Sequence, residues 1–443
     1  MRFIETDSDI QWLNDKLNQE ESVWIPINSS SSLHPVNNSI SFIYIYFISS
    51  TETAGVSISH NDVHSIPLNA IDTSSRVFNV YIYQTNRSPL WASMGFLDIS
   101  LIHWLDTGNH IDTTAVDKIY SFMNSWYRSS KNDNNIIPVT KHIEYCDALM
   151  GILLPIVRSF KPSECFEIYN DTIIPTMESI EANGLCVNEN KFRRLNPKYP
   201  LRNEYAYSKY DIYTTTGRPS CHFGGVNFVA LSKENGSREP YVSRFKSGKL
   251  IEFDFDSFHV RLIADCIGYK FEDKSIHHHF AKLYFDKNEI SDDEYEVAKK
   301  ITFRELYSLE GKYTNIDFFN KVHDLADDLW TTFRMKNYIQ TLIFGRKLYK
   351  ENLYDITKNK LFNYYIQSLE FESSVMIMHD IQKYLKDFNT KLVLYTYDSL
   401  LFDVDPSENK TALIGIYNIL NNKYPVKIKA GSNYNSMQEI KSY

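Results

Sequence analysis

The sequence predicts an α/β unit followed by an α+β unit, and three observations carry that reading. Over residues 1–160, strand-like apolar runs precede helical patterns. Residues 249–264, KLIEFDFDSFHVRLIA, read as a short buried strand that hands over to a helix at Asp254. Residues 391–404, KLVLYTYDSLLFDV, read as a β-hairpin: two apolar runs flank Thr396, Tyr397, Asp398 and Ser399, which puts Asp398 at the tip.

Composition sets bounds. A chain of 443 residues holds two or three domains with sizeable cores, and 43% hydrophobic with 23% charged is ordinary for a soluble globular protein. No apolar run approaches the length of a membrane span, and Glu5, Asp7 and Asp9 stand where a signal peptide would carry basic residues. A membrane role is therefore excluded and a cytoplasmic location expected. Five scattered cysteines, odd in number and without a CxxC pair, are expected to be free thiols in a reducing compartment. The net charge of −8 opposes phosphate binding by the chain as a whole, yet residues 198–249 are locally basic, with Tyr205, Tyr207, Tyr210 and Tyr213 interleaved.

Taken in order, the elements are strands at 23–27, 40–48, 56–58 and 77–83, then helical patterns at 99–105, 116–127 and 148–160. A further helix starts near Cys165 and ends at Asn183-Gly184, a good C-cap. Lys299, Phe303 and Tyr307 recur at steps of four and share one helical stripe. Such a stripe can meet an anion and a flat ring in succession, or can simply bury its two aromatics. Asn363 and Gln367 lie one helical turn apart, on a ligand-facing or a solvated face. Adjacent histidines at His277, His278 and His279 point apart on a helix, and no Cys or acidic partner is spaced for zinc. Asp254 alone reads as an N-cap or as a metal ligand. Two strands, each presenting one Asp, would bring Asp254 and Asp398 to a shared pair of divalent cations, as two-metal phosphoryl transfer requires.

Residues 254–261, DFDSFHVR, resemble the DYSQIELR motif of family A DNA polymerases, the class of bacterial DNA polymerase I, and Tyr397-Asp398-Ser399 resembles that family's HDE. Other matches follow in the family's order: Thr216-Gly217-Arg218 resembles its TGR, Asn227 the asparagine of LQN, Arg244 the arginine before the strand, and Ser275-Ile276-His277 its DIH. Residues 299–307 resemble the fingers helix, 338–349 the YVETLDGRRRYL hairpin, Asn363 and Gln367 the N-x3-Q of a palm helix, and 424–440 the closing segment. The resemblance implies a right-hand polymerase palm at 215–443, with fingers at about 268–335. It also implies a connecting helix and vestigial thumb at 165–214, and an exonuclease-like (ribonuclease H-like) N-terminal domain at 1–164.

Site roles follow from the same resemblance. Asp254 and Asp398, with the Phe255 carbonyl, would hold two Mg²⁺. Lys299 and His277 would meet the triphosphate, Phe303 and Tyr307 would stack at the nascent pair, and His259 stands where the family's glutamate excludes a ribose 2′-hydroxyl. Arg218, Asn227, Arg244, Arg261, Asn363 and Gln367 would contact primer and template. Tyr295 stands where the family carries an arginine. In the N-terminal domain Pro26 and Asn28 replace the two acidic ligands of the family's DTE, Leu90 replaces a further aspartate, Asp98 fits a non-ligand position and Asp147 matches the last acid. One carboxylate cannot hold two hard cations, so proofreading is expected to be absent.

The expected function is DNA-directed DNA synthesis by a compact, phage-type enzyme acting on primer-template DNA and dNTPs, with a processivity or replication partner in place of thumb contacts. Ser399 stands where the family has glutamate, as in single-subunit RNA polymerases, so an RNA polymerase or primer-making enzyme is a second reading. A non-catalytic scaffold that binds primed DNA or replication proteins is a third.

Overall fold

The structure, a computed structural model, describes residues 1–30, 34–84, 91, 94–123, 133–197, 199, 201, 203–221, 226–273 and 275–440. The motif expected at 86–90, the end of the helix expected at 116–127, Lys198 and Arg202 lie outside the described residues. The chain divides into two units, one of residues 1–184 with 198–209 and 223–226, the other of 185–197, 210–222 and 227–443.

In the first unit, strands β1 (Arg2–Phe3), β2 (Ser22–Asn28), β3 (Ile40–Phe47), β4 (Thr53–Ser57), β5 (Val80–Ile82) and β6 (Leu97–Asp98) form one sheet in the order β1-β4-β3-β2-β5-β6. β2, β3 and β4 pair antiparallel, while β5 runs parallel to β2 and β6 parallel to β5. β2 and β3 are apolar almost without interruption, as strands covered on both faces must be. Pro26 is tolerated inside β2 because pairing with β5 stops at Trp24, so that among the described residues no strand stands on that edge to receive an N–H.

Helices α1 (Asp7–Leu17), α2 (Ile99–Thr107), α3 (Thr114–Met123) and α4 (Val139–Ser159) accompany the sheet. α4 begins earlier than its apolar run suggests, because Val139, His142 and Cys146 carry the buried stripe backwards between polar residues. The run α5 (Glu164–Ile168), a π-helical turn at Tyr169–Ile173 and α6 (Ile174–Asn183) ends at Gly184, whose φ of 58° and ring contact with Tyr207 exclude a side chain.

The second unit contains α7 (Glu189–Leu195), β7 (Lys249–Phe255), α8 (Phe258–Cys266), α9 (Ile276–Phe285), α10 (Asp292–Ser308) and α11 (Asp317–Lys336). After these come β8 (Tyr338–Gln340), β9 (Lys347–Tyr349), α12 (Lys358–Tyr384), β10 (Lys391–Tyr395), β11 (Ser399–Val404), α13 (Thr411–Asn421), β12 (Val426–Gly431) and β13 (Gln438–Glu439). The main sheet is antiparallel, in the order β10-β11-β7-β12-β13. Its central strand β7 runs on to Phe255 and the helix starts only at Phe258, later than the handover expected at Asp254, because Asp254 is still held between Ser399 and Lys427. The 27-residue α12 buries residues around much of its circumference, as expected of a helix enclosed by its own unit. The hairpins expected at 338–349 and 391–404 both form. None of the five cysteines forms a disulfide. No helix among the described residues is long and apolar enough to cross a membrane.

Candidate active site

Strand register brings two distant carboxylates together. Asp254 near the end of β7 pairs with Ser399, the residue after Asp398, and the Phe255 N–H donates to the Asp398 carbonyl at 2.8 Å. Both turns carry a non-glycine residue in the left-handed region, Ser257 at φ 54° and Tyr397 at φ 71°. Each costs about 1–3 kcal/mol and persists where surrounding contacts demand it. Ser257 answers that demand with a hydrogen bond between its hydroxyl and His277 Nε2 at 3.0 Å.

The electrostatics of the pair are those of a site short of positive charge. Burial, followed by repulsion from Asp254 and Glu370, pushes the Asp398 carboxyl up to about 6, with a backbone hydrogen bond and His259 acting the other way. Asp398 keeps an exposed surface at the hairpin tip, where it opens onto the cleft that Asp254 and Glu370 also line. Lys429 Nζ donates to Asp254 Oδ2 at 2.6 Å and lies 3.5 Å from Glu252 Oε2. Lys427 reaches Asp256 Oδ1 at 3.1 Å, and Arg261 reaches the other oxygen of that carboxylate at 3.3 Å. Burial is the largest single influence on Lys429 and opposes its charge, but the hydrogen bond to Asp254 and the negative charges of Asp254 and Glu252 together outweigh it and raise the ammonium pKa.

Asp254, Asp256, Asp398, Glu370, Lys427 and Lys429 line one cleft of about 860 Å³. α10 contributes Lys299, Phe303 and Tyr307, confirming the stripe, with the two rings stacked at 6.0 Å and His277 against Phe303 at 5.5 Å. Lys299 has no ion-pair partner among the described residues, so its charge is available to a ligand. Burial drives the His277 imidazole down to about 4, which leaves it neutral near pH 7. α12 contributes Asn363, whose amide donates to the Tyr307 carbonyl at 3.1 Å, and Gln367.

Glu370, on the same face of α12, was not singled out in the sequence. Its side chain is 1% exposed, and its Oε2 lies 3.1 Å from both Arg218 Nε and His259 Nε2. His259 Nδ1 in turn lies 2.8 Å from the Tyr307 hydroxyl, and the Arg218 guanidinium sits 3.7 Å over the Tyr397 ring. One buried carboxylate therefore holds a cation, an imidazole and, through them, two aromatic residues around Asp398.

Three of the residues singled out in the sequence do not line the cleft. Asn227 is exposed elsewhere. Arg244 donates to buried Asp403 at 2.8 Å, and Arg261 folds back on Asp256, with its Nε donating to the Asp256 carbonyl at 2.9 Å. Both arginines face carboxylates, which compete for the charge that a phosphate would need. Conversely, Lys427, Lys429 and Glu439 line the cleft from β12 and β13 without having been singled out. The alternation VKIKAG hinted at two lysines on one strand face, but only the register with β7 aims them at carboxylates. Among the described residues no group of three or more His, Cys, Asp or Glu forms a metal cluster.

No family model matches the chain, and no curated protein matches it. Among solved structures it is similar to the POL domain of Pol1 from M. smegmatis in complex with DNA primer-template and dNTP. That likeness has a TM-score of 0.68 at 13% identity and spans 99% of this chain and 100% of that one. The chain thus has the mixed α/β fold of a DNA polymerase domain.

Proposed function

We propose that the chain is a family A-like, DNA-directed DNA polymerase of compact phage type. The observation that carries this reading is the convergence of Asp254 and Asp398 beside the Lys299–Phe303–Tyr307 stripe in one cleft. The substrates would be primer-template DNA and dNTPs. In the reaction, the primer 3′-oxygen forms a bond to the α-phosphorus while the bond to the α–β bridging oxygen breaks, and pyrophosphate leaves.

Asp254, Asp398 and the Phe255 carbonyl would hold two Mg²⁺, and the donor set suits them: all are hard oxygens, and burial, followed by repulsion from Asp254 and Glu370, raises the Asp398 pKa in the absence of a cation. Magnesium is ordinarily held by one or two carboxylates completed by substrate phosphates, so no third protein acid is required. When bound, the ions would favour the ionised 3′-hydroxyl and neutralise charge on the departing pyrophosphate. Lys299 would pair with the triphosphate and donate a proton to the leaving group. His277, neutral and with Nε2 engaged by Ser257, would offer Nδ1 to a phosphate oxygen as a hydrogen-bond donor without charge. Phe303 and Tyr307 would stack at the nascent pair, while Arg218, Asn363 and Gln367 position primer and template. Arg244 and Arg261 would act by holding the palm strand and the Asp256 turn, and Asn227 would meet DNA outside the cleft.

Within this reading residues 215–443 are palm with fingers at about 268–335, and 165–214 connect them to an exonuclease-like first unit. The mixed sheet of that unit, three antiparallel strands extended by two parallel ones beyond β2 and by the short parallel β1 beyond β4, supports an exonuclease-like (ribonuclease H-like) reading. Its remaining acids serve structure: Asp147 accepts from the Tyr44 hydroxyl at 2.5 Å, and Asp98 caps α2 through Ser100 N at 2.8 Å. Proofreading would therefore be absent. With so short a segment for a thumb, grip on duplex DNA would depend on a replication partner.

Primer extension with Mg²⁺ tests the proposal, comparing the protein with Asp398→Ala. Incorporation of dNTPs that the substitution abolishes supports it. Preference for rNTPs would instead favour a primer-making enzyme, for which Ser399 and His259 speak, and DNA binding without synthesis would leave a scaffold.

A further inference from the structure

The ladder of charges between β7 and β12 is out of step with its own register. Glu252 pairs across the strands with Lys429, and Asp254 with Lys427. Directly opposed residues on one face are natural partners. Yet Lys429 leans past Glu252 to Asp254, at 2.6 Å against 3.5 Å, and Lys427 leans past Asp254 to Asp256 at 3.1 Å. Glu252, with a side chain 4% exposed, is left with an Oε2 that has no hydrogen-bond partner among the described residues and sees only the ammonium. Its Oε1 accepts long hydrogen bonds, at 3.5 Å each, from the Ser399 and Tyr434 hydroxyls. A nearly buried carboxylate whose counter-ion stands this far off is costly, and Lys429 sits one short swing away from closing the pair.

We infer that Lys429 is a displaceable counter-cation, held on Asp254 while no divalent ion is bound and driven onto Glu252 when one arrives. The inference rests on the proposal that Asp254 and Asp398 hold divalent cations. An ammonium 2.6 Å from Asp254 Oδ2 neutralises that carboxylate and repels a second cation arriving at either of its oxygens. The move needs only side-chain rotation, since Lys429 already lies between the two carboxylates and keeps 20% of its side chain exposed. Lys429 thus serves as a positioning residue that sets how readily the site accepts metal, and Glu252 as the alternative seat for its charge.

Binding of Mn²⁺ to the full chain without nucleotide, read from the electron paramagnetic resonance signal of the free ion, tests this. Lys429→Met is expected to bind about tenfold more tightly than the unaltered protein, the change given by about 1.4 kcal/mol. Lys429→Gln should follow it, which keeps the test intact should the Met variant misfold. Glu252→Gln is expected to weaken binding, because the displaced ammonium loses its second seat. In a Lys429→Met background that loss should vanish, whereas simple charge addition would leave it unchanged and overturn the inference. Binding by Lys429→Met no tighter than by the unaltered protein would also overturn it. Asp398→Asn separates the two levels. If it binds Mn²⁺ as the unaltered protein does, the metal-site reading fails along with the inference built on it. If it binds poorly while Lys429→Met is unchanged, only the displacement fails.

Discussion

Glu370 Oε2 lies 3.1 Å from Arg218 Nε, with 1% of the glutamate side chain exposed against 26% of the arginine. The carboxylate is the buried anchor of this pair and the arginine its cleft-facing end, stacked at 3.7 Å on Tyr397 beside Asp398. Removing the anchor leaves a partly enclosed cation with no carboxylate to hold it. Glu370→Ala is expected to lower stability by on the order of 2–4 kcal/mol, and Glu370→Gln by less. Both should weaken primer-template binding by the folded protein. Urea titration and fluorescence anisotropy measure the two effects.

Lys299 faces the cleft without an ion-pair partner among the described residues, so its substitution should touch function and spare the fold. Lys299→Ala is expected to reduce kcat/KM for dNTPs about 100-fold, with thermal stability and DNA affinity nearly unchanged. Single-nucleotide incorporation at varied dNTP concentration checks this. Lys299→Arg should recover part of the loss.

Arg244 and Asp403 make a different pair, the carboxylate 1% exposed and accepting from the arginine side chain at 2.8 Å and from the Ser243 hydroxyl at 2.5 Å. Arg244→Met is expected to cost on the order of 3 kcal/mol by leaving Asp403 without its cation. The affinity of the folded variant for primer-template should not change. A variant of normal stability that binds DNA poorly would return Arg244 to the nucleic-acid surface.

Glu372 introduces a pH dependence remote from the reacting groups. Burial pushes its carboxyl from the ordinary 4.5 up to about 7, although hydrogen bonds from Thr341 and Phe344 and the charge of Arg346 pull the other way. Below the unfolded value both states hold the proton and nothing is lost. As pH rises from 4.5 towards 7 the unfolded chain releases its proton while the folded one retains it, so stability falls and then levels off. Glu372→Gln removes the titration and keeps an acceptor for the Phe344 N–H. It should match the unaltered protein near pH 4 and exceed it by on the order of 2–3 kcal/mol above pH 7.5.

What the sequence made legible was local. The strand that opens at Lys249, the hairpin tip at Asp398 and the stripe Lys299, Phe303, Tyr307 each rest on a period or a turn signal contained in one stretch, although the strand's end, expected at Asp254, lies at Phe255. Glu370 was legible in principle, since it follows Gln367 by three and Asn363 by seven on one helical face, but a glutamate within a helix reads first as a solvated charge. Lys427 and Lys429 depended on register between strands far apart in sequence, which no local pattern encodes. Arg244 depended on the same kind of distance, since Asp403, which captures it, lies far along the chain; Asp256, which captures Arg261, is only five residues away, but that pairing follows from the turn between β7 and α8 and not from a sequence pattern.

The central claim is that Asp254 and Asp398 share divalent cations at the point of nucleotidyl transfer. Crystals grown with primer-template, a non-hydrolysable dNTP and Mn²⁺ test it most directly through anomalous scattering. The expected result is two peaks, ligated by the carboxylates of Asp254 and Asp398 and the Phe255 carbonyl and reaching the triphosphate. A bound nucleotide with no anomalous peak at these oxygens, or with Lys429 still on Asp254, would contradict it.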